Sequence, residues 1–97
     1  LRDYKLTKQA LKTLTQLAKD NPKVASSIKL IITKLREDSL EGESLKGYAL
    51  FKKIRAGKYR LIYTLRNDIL LIAIIEKRET VYATFEHLFK NSSMFDD

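Results

Sequence analysis

The chain has no cysteine, one histidine, one proline and three glycines among its 97 residues. Without cysteine there is no disulfide framework, no thiolate metal site and no cysteine nucleophile. That fits a reducing compartment, and a cytoplasmic protein is expected. His87 stands alone, so a histidine metal site cannot form, and no metal or other cofactor is expected. So little proline and glycine leaves no room for long flexible linkers. The longest apolar run, Ile69 to Ile75, falls well short of the roughly 20 residues that cross a bilayer. No secretory leader is recognisable at the start, no internal repeat is visible, and no membrane partner is expected.

What the chain has is positive charge in one place. Nineteen Lys and Arg face twelve Asp and Glu, a net charge of +7. Lys46, Lys52, Lys53, Arg55, Lys58, Arg60 and Arg66 lie between Ser44 and Asn67, a window without a single acid. Outside it, the remaining twelve basic residues balance the twelve acids. A field concentrated in this way implies an anionic partner: nucleic acid, an acidic protein or a phospholipid surface. Hydrophobic residues at 44% and charged residues at 32% are a globular balance, which argues against disorder.

The length suits one domain over residues 1–97, with a core over about 4–90 and a fraying polar tail over 91–97. Leu1 to Leu6 alternates weakly as a strand, and Thr7 is placed to cap a helix. Ala10, Leu11, Leu14, Leu17 and Ala18 then fall on one helical face, with Lys8, Lys12, Gln16 and Lys19 opposite. Asn21-Pro22 ends that helix and starts another, whose stripe is Val24, Ile28, Ile31, Ile32 and Leu35. The two form a helical hairpin. Ser39 to Gly47 reads as a loop. Strands follow over Tyr48 to Arg55 and Tyr59 to Arg66, joined by a turn at Ala56-Gly57-Lys58. After Asn67-Asp68 comes a near-continuous apolar strand, Ile69 to Glu76, expected to be covered on both faces. A short C-terminal helix over about Thr80 to Asn91 carries Val81, Phe85, Leu88 and Phe89. The fold class is α+β: an N-terminal helical hairpin on a small, twisted, mainly antiparallel sheet, closed by a short helix.

Strand parity sorts the charges. Tyr59, Leu61, Tyr63 and Leu65 share one face, expected to pack on the helices, together with Leu50 and Ile54. Arg60 and Arg66 then lie on the open face with Phe51, Lys53 and Arg55. Lys52 has the wrong parity for that face and needs an edge, a bulge or a snorkelling stem. Arg78 joins the set if its strand runs beside the hairpin. A sheet face lined by cations and an aromatic suits single-stranded RNA, with phosphates on Arg and Lys and bases on rings. Taken singly, each strand Arg or Lys is as well explained by solvation or edge protection. As an acid-free set they point to a ligand.

The run Leu45-Lys46-Gly47, then Ile54-Arg55-Ala56-Gly57-Lys58-Tyr59-Arg60-Leu61-Ile62-Tyr63, then Lys77-Arg78-Glu79-Thr80-Val81-Tyr82 resembles the RelE/ParE toxin superfamily. The resemblance spans roughly residues 4–82 and rests on the ordered set of motifs, with the helical hairpin ahead of them. It implies a RelE-like fold and the toxin of a type II toxin–antitoxin system. The RelE branch cuts messenger RNA, usually in the ribosomal A site, and the ParE branch poisons DNA gyrase; a noncatalytic nucleic-acid-binding relative is the third alternative. The resemblance places Lys53, Arg60, Arg78 and Tyr82 at catalytic positions, with Arg55 beside them. Lys52, Phe51, Lys58 and Lys46 complete the expected RNA-binding set. Phe51 stands where some RelE members have a further lysine, and Lys77 where many relatives have histidine.

A metal-independent cut uses the ribose 2′-OH as nucleophile, so the site must take its proton, stabilise the phosphorane and protonate the 5′ oxygen. Arg60 and Arg78 suit the phosphorane, because planar guanidinium groups grip phosphate bidentately. Arg55 positions the backbone and Lys53 is a candidate base. Tyr82 is open to three readings: proton transfer, stacking on a base, or capping the core. The implied partners are messenger RNA, the ribosome and a cognate antitoxin. The protein is expected to be monomeric alone and hetero-oligomeric with that antitoxin.

Overall fold

A computed structural model of the chain describes residues 1–91, with side chains to Leu88. The expectations for the tail and for Phe89 lie outside these described residues. The elements are β1 (Asp3–Leu6), α1 (Lys8–Asp20), α2 (Pro22–Arg36), β2 (Glu43–Leu45), β3 (Tyr48–Ala56), β4 (Tyr59–Arg66), β5 (Ile69–Lys77) and α3 (Val81–Asn91). The sheet order is β1-β5-β4-β3-β2, with β1 parallel to β5 and every other pair antiparallel. This is the expected α+β architecture, and the expected helix and strand boundaries hold to within a residue or two.

Two side chains join α1 to the sheet. Thr7 caps the helix by accepting from the Ala10 N–H at 3.2 Å, and its hydroxyl donates to the Ala73 carbonyl at 2.6 Å. Two residues on, the Gln9 amide donates to the Ile75 carbonyl at 2.8 Å and accepts from the Ile75 N–H at 2.9 Å. Strand β1 stops pairing at Leu6 opposite Ile72. Gln9 thus satisfies main-chain groups of β5 where the neighbouring strand has run out. Between α1 and α2, Asn21 accepts from the Val24 N–H at 3.4 Å and Pro22 takes the first helical position.

The sheet buries both faces. On one, α1 and α2 press Ala10, Leu14, Leu17, Ile28, Ile32 and Leu35 onto Leu61, Tyr63, Leu70, Ile72 and Ile75. On the other, α3 lays Val81, Phe85 and Leu88 on Leu45, Phe51, Ile62, Ala73 and Ile74. The apolar run in β5 serves both cores through an irregularity. The register passes from Ile62↔Ile74 to Tyr63↔Ile72, leaving Ala73 as an extra residue. Ile72 and Ile75 therefore face the hairpin of helices while Ala73 and Ile74 face α3.

Three expectations need correction. The face opposite the helical hairpin is only half open, because α3 covers part of it. The Ser39–Gly47 segment contains a strand, β2, which pairs with β3 through Glu43↔Lys53 and Ser44↔Lys52 before a bulge. At three residues it is too short to show alternation. Of the residues expected against the helices, Leu65 is 45% exposed and Leu50 is 81% exposed. Leu50 precedes the β3–β4 ladder, which begins at Phe51↔Thr64, and so lies past the helix layer.

Thr7→Ala removes a cap and orphans a buried carbonyl together. The expected loss is about 1–3 kcal/mol. A thermal melt reads this as a drop of about 4–8 °C per kcal/mol, and an unchanged melt would refute the double role.

Candidate functional site

The β3–β4 register sets Arg55 directly opposite Arg60, and Lys53 opposite Ile62. All three share the face that α3 partly covers. Like charges in direct cross-strand register oppose folding, so the cations themselves do not favour this arrangement. Gly57 opens the connecting turn with φ of 61°, a left-handed conformation that glycine adopts without steric penalty. Arg55 Nε donates to the Gly57 carbonyl at 3.3 Å, turning that guanidinium towards the hairpin tip.

Tyr82, in the first turn of α3, is the meeting point. Its hydroxyl accepts from Arg60 Nη1 at 2.8 Å and from Lys53 Nζ at 3.4 Å. The Lys53 ammonium also stands 5.7 Å from the centre of the Tyr82 ring. A neutral hydroxyl satisfies donors but cancels no charge. Arg60 Nε is buried without a hydrogen-bond partner. Among the described residues the ion pairs are Arg2 with Asp38 and Asp68, and Lys52 with Glu41. None involves Lys53, Arg55 or Arg60.

Arg78 follows β5, where its N–H donates to the Lys58 carbonyl at 3.0 Å and so extends the β4–β5 ladder. With Arg60 opposite Glu76, Arg78 sits one diagonal step from Arg60 in register. Its side chain is exposed. Lys58 is exposed at the hairpin tip. Two grooves adjoin at Lys53. One, of about 420 Å³, is lined by Glu43, Lys53, Arg55 and Arg60. The other, of about 360 Å³, is lined by Lys46, Tyr48, Lys53, Tyr82 and Glu86.

The structure thus brings Lys53, Arg60 and Tyr82 together, with Arg55, Arg78, Lys58 and Lys46 around them. It separates two expected residues from the set. Phe51 is 5% exposed, its ring 4.9 Å from that of Phe85 and nearly edge-on to it. It is core and offers no face to a base. Lys52, set apart by its parity, pairs with Glu41. The Glu41 carboxylate bonds to the Lys52 ammonium, which lowers the pKa of Glu41 and raises that of Lys52.

Glu43 was not visible as a site residue in the sequence. It stands one position before the acid-free window, and only the β2–β3 pairing carries it across from Lys53. Gly42 makes that pairing possible. A Cβ there would lie 2.4 Å from the Lys53 carbonyl oxygen and 2.8 Å from the Ile54 side chain. The buried Tyr63 hydroxyl accepts from the Gly42 N–H at 2.8 Å, holding the segment against β3.

A family model described as the ParE toxin of a type II toxin–antitoxin system, parDE, matches residues 4–82. The chain belongs to the RelE/ParE superfamily of type II toxins. Solved structures share its fold. YoeB in its complex with YefM from Staphylococcus aureus is 21% identical with a TM-score of 0.69, over 80% of this chain and 98% of that one. YafQ in its complex with DinJ from E. coli is 19% identical with a TM-score of 0.69, over 84% and 99%. A copper-bound mutant toxin from Helicobacter pylori is 18% identical with a TM-score of 0.69, over 81% and 97%. No curated protein matches the sequence.

The toxin's cleft depends on Gly42 more than on any contact the cations make themselves. Gly42→Ala should destabilise the fold by about 1–3 kcal/mol through overpacking and displace Lys53. Denaturant unfolding measures the first effect. Loss of the proximity signals between Lys53 and Tyr82 in NMR spectra measures the second, and a variant unchanged in both would refute the assignment.

Proposed function

We propose that this toxin is an endoribonuclease that cuts messenger RNA in the ribosomal A site by metal-independent attack of the ribose 2′-OH, and so arrests translation in the cytoplasm. The observation that carries this reading is the meeting of Lys53 and Arg60 at the Tyr82 hydroxyl, with Arg55 in register beside Arg60 and none of the three cations in an ion pair among the described residues. A phosphodiester supplies the missing negative charge.

In the reaction the 2′ oxygen bonds to phosphorus as a base takes its proton. The bond from phosphorus to the 5′ oxygen breaks, and that oxygen is protonated. The products are a 2′,3′-cyclic phosphate and a free 5′-hydroxyl. Arg60 and Arg78 hold the equatorial oxygens of the phosphorane, and Arg55 fixes the backbone. Tyr82, already hydrogen-bonded to two cations, delivers the proton to the leaving oxygen. Lys53 and Glu43, facing each other across β3 and β2, are the two groups placed to act as base. Lys58 and Lys46 extend the phosphate track on either side.

The neighbours crystallised with YefM and with DinJ support a cognate antitoxin for this chain as well. An acidic or amphipathic segment suits the basic face by charge complementarity. The toxin alone is then a monomer and the inhibited form a hetero-oligomer. Gyrase poisoning, the ParE-like alternative, is not the favoured reading. That activity has no use for the Lys53–Arg60–Tyr82 cluster.

Combined replacement Arg60→Ala and Arg78→Ala should lower cleavage of a message on purified ribosomes at least about 100-fold, as loss of transition-state donors does elsewhere. Unchanged cleavage would refute the roles given to them. Glu43→Gln and Lys53→Met separate the two bases, since the variant lacking the true base falls by about 100-fold or more. Induction that triggers an SOS response with intact messages would select gyrase instead.

A further inference from the structure

The family match ends at Tyr82, so nearly all of α3 lies outside it. Yet α3 builds one wall of the second groove, the one that meets the cation cluster at Lys53. On the reading proposed above, a phosphate held at Lys53 and Arg60 leaves the adjoining nucleoside in this groove. We propose that the groove is a base pocket selective for guanine, with Glu86 reading the base.

The chemistry of the lining carries the proposal. Tyr82 and Glu86 are one helical turn apart, so ring and carboxylate serve the same groove. A carboxylate offers only acceptors and an ammonium only donors. Guanine matches that pair. Its N1–H and N2 amino group form adjacent donors for Glu86, and O6 beside them accepts from Lys46 on the opposite wall. Adenine has no O6 to offer, while uracil and cytosine each present a carboxylate with a single donor group. Glu86 has no ion-pair partner among the described residues.

The aromatic part supplies the stacking surface. Tyr82 is 37% exposed and presents ring area to the groove. Phe85 behind it is buried and meets the Tyr48 ring edge-on at 5.0 Å, so the floor is braced by packing. At about 360 Å³ the groove is near the small end of ligand pockets, with room for one base.

The test is binding of the four nucleoside 3′-monophosphates to the whole chain, followed by calorimetry or NMR shifts. The guanosine nucleotide should bind about tenfold tighter than the other three. Glu86→Gln should abolish that preference while leaving the circular dichroism spectrum unchanged, since Glu86 is exposed. Equal binding of all four nucleotides, or a preference that survives in Glu86→Gln, would overturn the proposal. Because the readout is binding, it separates from the nuclease reading. Guanine preference in a protein that cuts no message would sink the nuclease and leave the pocket. Message cutting with four equal affinities would do the reverse.

Discussion

The hairpin register that sets Arg55 against Arg60 is the constraint on which the rest of the site depends. A strand pair free to choose its register would not place two guanidinium groups side by side. Here the register is fixed from the other face. Leu61 and Tyr63 of β4 must meet the helices, and a slip by one residue would turn them to the wrong side. Burial of the apolar face thus holds the cations in place against their repulsion. The cost of gathering charge is met by the core.

Helix α3 has two roles on that charged face. Val81, Phe85 and Leu88 close a second small core over Phe51, Ile62 and Ile74. That same docking brings the Tyr82 hydroxyl within hydrogen-bonding reach of Arg60 and Lys53. A tyrosine oxygen orders the cations without quenching them, which leaves the field available to a phosphate. On the other flank, Gly42 and the Tyr63 hydroxyl press β2 against β3 and carry Glu43 to Lys53. One cleft therefore holds opposite charges that the linear sequence keeps in separate segments.

Most of the fold was legible because it is written in periodic signals. Thr7, Asn21-Pro22 and the helical stripes mark α1 and α2, and the Asn67-Asp68 turn takes φ values of 51° and 63° that suit a two-residue hairpin. Parity alone put Lys53, Arg55 and Arg60 on one face and set Lys52 apart. What escaped is non-local. The strand β2 is too short to alternate. Phe51 has the parity of the charged face, and only the docking of α3 converts it from an exposed ring into core. Glu43 and Glu86 reach the grooves through pairing and docking that no local pattern announces.

The central claim is that unneutralised cations on this face meet phosphates. Its most direct test is the salt dependence of binding to a short single-stranded RNA carrying 2′-deoxy substitutions, which cannot be cut. Each phosphate contact contributes a slope of about −0.7 in log affinity against log salt concentration. The account predicts a clearly negative slope that becomes shallower by about 0.7 in Arg60→Ala. A flat salt dependence, or the same slope with and without Arg60, would contradict it.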